Sequence, residues 1–364
     1  MSVVANSVPI VHALRASDPA QRRSWDELLD HAPSPDPYFR PGYAAAYEAS
    51  GQGTAVAVVA QAGPVRVLFP LLLSSLEDLR FTHSVAGQDA ITPYGYGGTI
   101  ALDRGEPDWP AAIRGLRSWC DDNEIVACLF RLHPLMEESR SLRAAAPSLG
   151  LEVRFRGHTT ALDLSAWDDA RSCPQGMGKG RLSDLSKARR ALRLSWGERP
   201  ADLQLFRDLY ESTMDRVQAG GFYRYPLAYY EALAAGLDNR FLLAMVWSGD
   251  ELAGAALFLC EGLCMHYHLS CSNELGRELR ATTLLIQAGA ARGRERGCRY
   301  LHLGGGARPD DSLWGFKRSF GGAQLEYHFA TMTVDGRAYD QLVGAREAAP
   351  DLPPPTDNFL RYRT

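Results

Sequence analysis

The chain has 364 residues, of which 46% are hydrophobic, so it has enough apolar side chains to form sizeable cores. This length predicts two domains. A formal charge of −4 at pH 7 excludes a broad positively charged surface for binding nucleic acid, so any contact with a polyanion must be local. Residues 1–17 lack a signal-peptide pattern, and the longest aliphatic stretch, residues 67–73, is too short to cross a bilayer. We therefore expect a cytoplasmic protein.

The first half of the sequence predicts one mixed α/β domain over residues 1–165. Its hydrophobic periodicity predicts helices over residues 21–31, 42–50, 109–121 and 137–146. Apolar runs predict strands over residues 54–61, 64–73, 124–132, 151–155 and 160–164, and Ala62-Gly63 is typical of a hairpin turn.

The second half repeats this order over residues 166–364. Helices are expected over residues 181–194, 200–219, 226–236 and 281–296, and strands over residues 240–248, 251–261, 263–270 and 299–303. Ser, Pro, Gly and Asp collect at residues 165–180, which predicts the boundary there. The repeat predicts two tandem α/β domains with mixed sheets, and we expect them to pack around a cleft.

A glycine-rich loop follows the last predicted strand at Gly304, Gly305 and Gly306, and Phe316-Lys317 comes soon after it. A lysine beside such a loop can stabilise a developing oxyanion, and the neighbouring ring can stack on a base or an acyl group. A surface lysine beside a core aromatic is the alternative. The combination with the segment Phe320-Gly321-Gly322 favours a site.

Positive charges near two predicted helices could bind phosphates. Arg277 and Arg280 precede the helix at residue 281, where free backbone N–H groups favour anions, although a solvated loop is an equal alternative. Residues 273–280 do not meet the pattern Arg/Gln-x-x-Gly-x-Gly/Ala of acyl-CoA enzymes, which weakens the interpretation that this segment binds CoA. A second basic segment forms a helix face that either contacts phosphates or is simply solvated. It contains Lys179, Arg181, Lys187, Arg189, Arg190 and Arg193.

Aromatic and imidazole side chains mark candidate positions for a second substrate, and each has a purely structural alternative. Tyr94 and Tyr96 stand beside glycines that let the backbone approach a ligand closely, and Arg131 and His133 stand at a strand end. Tyr223 and Tyr225 lie in a loop between helices, and His266 and His268 share one face of a strand.

Seven cysteines without a Cys-x-x-Cys pair indicate reduced thiols rather than a disulfide framework. Cys260, Cys264 and Cys271 lie near His266 and His268, but zinc sites show tighter paired spacing. We therefore expect a structural or site-lining strand and no metal.

The sequence resembles the Fem-type aminoacyltransferases (FemABX), a branch of the N-acetyltransferase (GNAT) superfamily with two such domains in one chain. The resemblance covers most of the chain and is strongest over residues 240–330. The matching segments are Leu303-Gly304-Gly305, Asp311-Ser312-Leu313, Phe316-Lys317 and Phe320-Gly321-Gly322, with 93–98, 130–134 and Tyr362-Arg363 similar to members outside cell-wall synthesis.

The resemblance implies transfer of an aminoacyl group from charged tRNA to an amine, with formation of an amide. It implies that Lys317 stabilises the oxyanion and that Phe316 contacts the nucleotide end of the tRNA. Asp311, His302 or the substrate itself is the candidate base. The donor side would include Arg277, Arg280 and the three loop glycines.

The expected partners are an aminoacyl-tRNA end and an amine of a small molecule, a peptide or a peptidoglycan precursor, with no cofactor, DNA or membrane span. The charged coiled-coil arm of some family members is absent, and the tyrosine-glycine segment differs from muropeptide-binding loops, so a natural-product amine is as plausible an acceptor. The alternative activity is acyl transfer from a CoA or carrier-protein thioester, and the alternative class is a binding-only module.

Overall fold

The computed structural model describes residues 10–79, 81, 85–306, 308, 311–349, 352 and 359–363. It divides into two compact units. Of the described residues, those within 1–33, 38–155 and 328–364 form the first unit, and those within 34–37 and 156–327 form the second. Within the described residues, no helix is long and apolar enough to span a membrane.

The helices and strands alternate in the manner of an α/β protein, as predicted. The strands are β1 (Ile10–Arg15), β2 (Thr54–Ala62), β3 (Val65–Ser75), β4 (Gln88–Ile91), β5 (Ile100–Ala101), β6 (Ile125–Arg131), β7 (Glu152–Asp163), β8 (Trp167–Asp168), β9 (Cys173–Pro174), β10 (Arg193–Gly197), β11 (Phe241–Ser248), β12 (Glu251–Glu261), β13 (Cys264–Ser272), β14 (Tyr300–Gly305) and β15 (Ala323–Thr333). The α-helices are α1 (Pro19–Asp30), α2 (Pro41–Ala49), α3 (Trp109–Asp122), α4 (Glu137–Ala145), α5 (Lys179–Ala191), α6 (Pro200–Arg216), α7 (Leu227–Leu237), α8 (Glu274–Glu278), α9 (Ala281–Glu295), α10 (Ser312–Arg318) and α11 (Gly336–Glu347).

In the first unit the strand order is β1-β2-β3-β4-β6-β15, and β5 pairs with β3. β4 and β6 are parallel, whereas the pairs formed by β2 with β1 and β3 are antiparallel. Helix α3 begins where Asp108 accepts a hydrogen bond from the Ala111 N–H at 3.0 Å. Its apolar residues recur at helical spacing, so Ile113 and Leu116 enter the same core as Phe69 and Phe130 of the sheet.

In the second unit the strand order is β7-β14-β13-β12-β11-β10, and β8 and β9 form a separate hairpin. β13 and β14 are parallel, and the crossover between them contains α9. Leu285 and Ile286 of α9 pack with Phe258 and Met265 of the sheet in one buried cluster. This packing leaves the other face of β13 and β14 for the polar side chains described below.

The structure corrects several predicted elements. β7 is one strand, whereas the sequence predicted two strands over residues 151–155 and 160–164. The predicted helix over residues 181–194 ends at Ala191, because Leu192 is extended at φ −124° and ψ 141°. Arg193 therefore opens β10 and does not share a helical face with Arg189 and Arg190. The elements that were not predicted are β1, β4, β5, β8, β9, β10, β15, α8, α10 and α11.

The division into units differs from the predicted boundary between residues 165 and 166. β7 and β15 each run from one unit into the other. Phe329–Thr333 of β15 pairs antiparallel with residues 127–131 of β6, and the described residues from 328 onward belong to the first unit. Such long-range strand pairing leaves no local trace in the sequence.

Candidate active site

The glycine loop at the end of β14 is shaped by close backbone contacts. The register of β14 against β7 shifts between His302 and Gly304, and Gly304 has a φ of +71°, which glycine adopts without steric cost. At Gly306, an added Cβ would lie 2.1 Å from Oδ1 of Asp311. The loop is therefore held against the start of α10.

Asp311 is the N-cap of α10. Its Oδ1 accepts a hydrogen bond from the Trp314 N–H at 2.8 Å, and its Oδ2 accepts one from the Arg308 N–H at 3.0 Å. These bonds fix the start of the helix that carries Phe316 and Lys317. The geometry thus gives Asp311 a positioning role, while its predicted role as a base stays a prediction.

Two substitutions of Asp311 separate these roles. The single amide oxygen of Asn can accept the helix-capping hydrogen bond from the Trp314 N–H, so we expect Asp311→Asn to keep kcat within a few-fold of the wild type. Asp311→Ala removes the cap, which costs about 1 kcal/mol of helix stability, and we expect a larger loss of kcat. Steady-state kinetics of both variants test this. Equal losses of 10²-fold or more in both, an order typical of a lost general base, would assign the base role to Asp311 instead.

The ammonium of Lys317 lies against the glycine loop. Its Nζ donates a hydrogen bond to the Gly305 carbonyl oxygen at 2.6 Å. Burial lowers the pKa of Lys317 to about 8, and the nearby Asp311 carboxylate opposes this shift. The side chain is therefore mostly protonated at pH 7, within a partly dehydrated environment where a positive charge acts strongly on an oxyanion.

This pKa predicts a pH dependence. Because only the charged form of Lys317 stabilises an oxyanion, we expect kcat to fall as the pH rises through about 8. Lys317→Arg keeps its charge in this range and should lose that falling limb, although its absolute rate should be lower. A pH profile of kcat for both proteins checks the expectation. The same falling limb in both would show that another group titrates.

Phe316 lies beside Lys317 within a cluster of charged and aromatic groups. Its ring contacts Phe320 edge-on at a centroid distance of 5.2 Å, and the Arg181 guanidinium lies over it at 5.1 Å. Asp184 bonds Arg181 at 2.9 Å and Arg280 at 3.1 Å. Arg181 and Asp184 therefore link Phe316 to Arg280. Phe316 and Arg280 were both predicted to bind the donor substrate, whereas Asp184 was not assigned a role from the sequence.

Arg277 lies on α8, before the start of α9. Burial lowers the pKa of Arg216, and the positive charge of Arg277 lowers it further. Arg280 itself is the N-cap of α9, with a left-handed φ of +68°. The predicted placement of both arginines before this helix is confirmed, while anion binding stays a prediction.

His302 and His266 occupy neighbouring strands in a fully buried polar group. Their Nδ1 atoms are 3.2 Å apart, and the rings are nearly perpendicular. His266 Nε2 lies 2.7 Å from Oδ2 of Asp36, and all three residues are at most 1% exposed. Asp36 was missed by the sequence analysis, although an acid between Pro35 and Pro37 in a rigid extended segment is a usable signal.

His268 belongs to a separate aromatic group. Its Nε2 is 2.9 Å from the Tyr229 hydroxyl, and Tyr229 stacks on Tyr225 at 4.2 Å. Burial lowers the pKa of His268 to about 3, with a smaller contribution from His266, so the imidazole is neutral. The structure thus brings His268 and Tyr225 together through Tyr229. Tyr223 instead contacts Phe222 edge-on.

The candidate residues of the first unit form their own cluster. Tyr38 contacts Tyr96 edge-on at 6.0 Å and lies 6.5 Å from the His133 ring. The Tyr94 carbonyl accepts a hydrogen bond from the hydroxyl of Tyr43. Two contacts orient Arg131: it donates a hydrogen bond to the Thr92 carbonyl, and its guanidinium lies over the Phe329 ring.

The strand β13 carries histidines and cysteines, which are residue types that bind metal ions. The seven cysteines are buried free thiols. Ligand-type atoms of Asp36, Cys264 and His266 lie within 4.8 Å of one another. However, two ligand atoms on one tetrahedral zinc ion are about 3.4 Å apart, given bonds of about 2.1 Å. The 2.7 Å separation of Asp36 and His266 is instead that of a hydrogen bond.

Residues 179–318 match the family model described as an acetyltransferase (GNAT) domain. This stretch contains the glycine loop and the Phe316-Lys317 pair, so the candidate site lies within the part of the chain that is similar to this domain. No curated protein matches the sequence.

Solved structures are similar in fold over most of the chain. FemX has a TM-score of 0.66 at 14% identity, covering 88% of this chain and 98% of that chain. L-PGS from Bacillus licheniformis has a TM-score of 0.58 at 13% identity, covering 89% and 94%. The C-terminal domain of a putative lysylphosphatidylglycerol synthetase from Agrobacterium fabrum has a TM-score of 0.55 at 12% identity, covering 85% and 91%. The predicted Fem-type fold of tandem GNAT-like domains is confirmed.

Proposed function

We propose that this protein is an aminoacyltransferase that forms an amide bond between an aminoacyl group from charged tRNA and an amine acceptor. The observation that carries the proposal is the Lys317 ammonium, held on the Gly305 carbonyl at the end of a glycine loop and directly beside Phe316. The Fem-like fold supports the same donor.

The chemistry needs positioning and charge stabilisation. The ester that links an amino acid to tRNA is already activated, so the acceptor nitrogen can attack its carbonyl carbon directly. Lys317 can then exchange its hydrogen bond with Gly305 for one to the oxyanion of the tetrahedral intermediate. Collapse of that intermediate breaks the ester C–O bond and releases the tRNA hydroxyl. No cofactor or covalent enzyme intermediate is required.

Positive side chains around Phe316 suit the phosphates of a tRNA end. Lys179 and Arg318 are exposed, and Arg181 is partly exposed above the ring. The backbone N–H of Gly178 reaches the Ser319 carbonyl at 3.5 Å, which places the start of α5 next to the end of α10. A terminal base on Phe316 would therefore have cations beside it, as stacking sites for single-stranded nucleic acids do.

An acyltransferase that uses a CoA or carrier-protein thioester is the second candidate. The match of residues 179–318 to the acetyltransferase domain favours it, because that domain is named for acetyl transfer. Lys317 could stabilise the oxyanion from a thioester equally well. The donor therefore separates the two functions.

Ligand binding and nuclease treatment test the proposal. We expect product formation with charged tRNA to be abolished by ribonuclease, and acyl-CoA esters to leave the melting temperature unchanged. A saturable rise in melting temperature with acyl-CoA, together with ribonuclease-resistant activity, would replace this proposal with the thioester function.

A further inference from the structure

In the second unit, the polar face of the sheet extends across the three strands β13, β14 and β7. Leu301 and Leu303 belong to the hydrophobic core on one face of β14, so His302 between them points to the other face. His302 is paired side by side with His266 on β13. On the other side it is paired with Ala161 of β7.

Thr159 lies on the same face as His302. It is two residues from Ala161 on β7 and directly opposite Gly305, the residue whose carbonyl holds Lys317. Thr159 is fully buried, and its Oγ1 has no hydrogen-bond partner among the described residues. A buried hydroxyl without a partner is costly, so its position on the same face of the sheet as His302 indicates a place for a polar ligand atom.

The hydrogen bonds of the buried group have a defined direction. The Asp36 carboxylate can only accept, so His266 carries its proton on Nε2 and donates it to Asp36. When His266 is neutral, its Nδ1 must accept, so His302 donates from Nδ1. This tautomer makes Nε2 the basic nitrogen of His302.

We propose that Asp36, His266 and His302 form a relay that removes the proton from the acceptor amine, and that Thr159 positions this amine by hydrogen bonding. His302 is the group that contacts the substrate, and the other three are positioning residues. This inference rests on the proposed transfer to an amine, but it holds for either donor, because an amine must lose a proton in both reactions.

The proton balance of the step is complete. An acceptor R–NH₃⁺ gives one proton to Nε2 of His302, and the freed lone pair forms the C–N bond. The carbonyl electron pair becomes the oxyanion opposite Lys317. When the ester C–O bond breaks, the leaving oxygen takes the second proton of the nitrogen, and His302 returns its proton to solvent. The negative charge of Asp36 stabilises the imidazolium through His266 without itself becoming protonated.

Acceptor basicity provides a readout that a purely structural role would not change. Cadaverine is protonated at neutral pH, whereas hydroxylamine is not, so only cadaverine needs the relay. For Asp36→Asn and His302→Gln we expect kcat with cadaverine to fall about 10²-fold, and kcat with hydroxylamine to stay within a few-fold. Equal losses with both amines would overturn the relay.

Thr159 is tested by the shape-conserving Thr159→Val and the hydroxyl-retaining Thr159→Ser. We expect Thr159→Val to raise the acceptor KM about tenfold with little change in kcat, and Thr159→Ser to restore it. An unchanged KM in Thr159→Val would remove this residue from the proposal. Asp89→Asn is the matched control, because it removes an equally buried carboxylate in the first unit and should not change the dependence on acceptor basicity.

Proton NMR of the 364-residue chain tests the relay if neither amine is accepted. We expect a low-field imidazole N–H resonance that is lost in Asp36→Asn and retained in Asp89→Asn; no such resonance in the wild type would overturn the relay. The donor is a separate outcome. If the wild type uses only thioesters, the proposed function fails, and the comparison of cadaverine with hydroxylamine is made with the thioester instead.

Discussion

Replacement of Lys317 by Ala should reduce kcat about 10³-fold, which is the effect of removing one oxyanion-stabilising donor. The donor KM should change little, because the ammonium acts on charge that develops only in the transition state. The structure supports this expectation, since the Lys317 Nζ is already held at the glycine loop by the Gly305 carbonyl. Steady-state kinetics with the preferred donor measures both constants.

Two controls separate charge from folding. Lys317→Arg keeps the positive charge but changes its geometry, so we expect a smaller loss than for Lys317→Ala. Removal of a half-buried ammonium should not lower the melting temperature, because its lowered pKa shows that its burial is unfavourable. A Lys317→Ala protein that is fully active would move the site elsewhere in the chain.

Removal of residues 359–364 should lower the free energy of unfolding of the first unit by about 3–5 kcal/mol or more. Phe359 and Tyr362 are buried against α11, and the guanidinium of Arg363 is paired with the buried carboxylate of Asp89. Arg363 also donates to the Ser74 and Ser75 carbonyls at 2.9 Å. Loss of one partner of a buried pair alone costs about 3–5 kcal/mol.

This loss should depend on pH. Burial raises the pKa of Asp89 even though Arg363 opposes the shift, and removal of Arg363 raises it further. The folded chain then keeps a proton that the unfolded chain loses, so unfolding free energy falls as the pH rises above the ordinary aspartate value. Urea denaturation should therefore show a larger deficit at pH 7 than at pH 4. A deficit below about 1 kcal/mol at pH 7 would contradict this account.

Much of the local structure could be predicted from the sequence, because periodicity and turn residues act locally. The hairpin of β2 and β3 and the strand β12 were predicted within two residues of their observed ends. β15 was missed, since its pairing with β6 joins residues 198 to 206 positions apart. The pairing of β15 with β6 returns the chain to the first unit, so the division into units could not be predicted without it.

The candidate site was predictable to a similar degree. Phe316 and Lys317 follow a glycine loop in sequence, and lysine at this position is informative, because only three of the 39 Lys and Arg residues are lysines. A lysine ammonium is a compact charge whose pKa responds to burial, whereas arginine stays charged. Asp36 lies 230 residues from His266, so only the fold brings the two together.

The donor is the most direct test of the central claim. Purified protein is given a pool of amines with either charged tRNA or a panel of acyl-CoA thioesters, and amide products are identified by mass spectrometry. We predict an amide product only with charged tRNA, abolished by ribonuclease and by Lys317→Ala. A product formed only with thioesters would contradict the proposal and assign an acyltransferase function to this Fem-like fold.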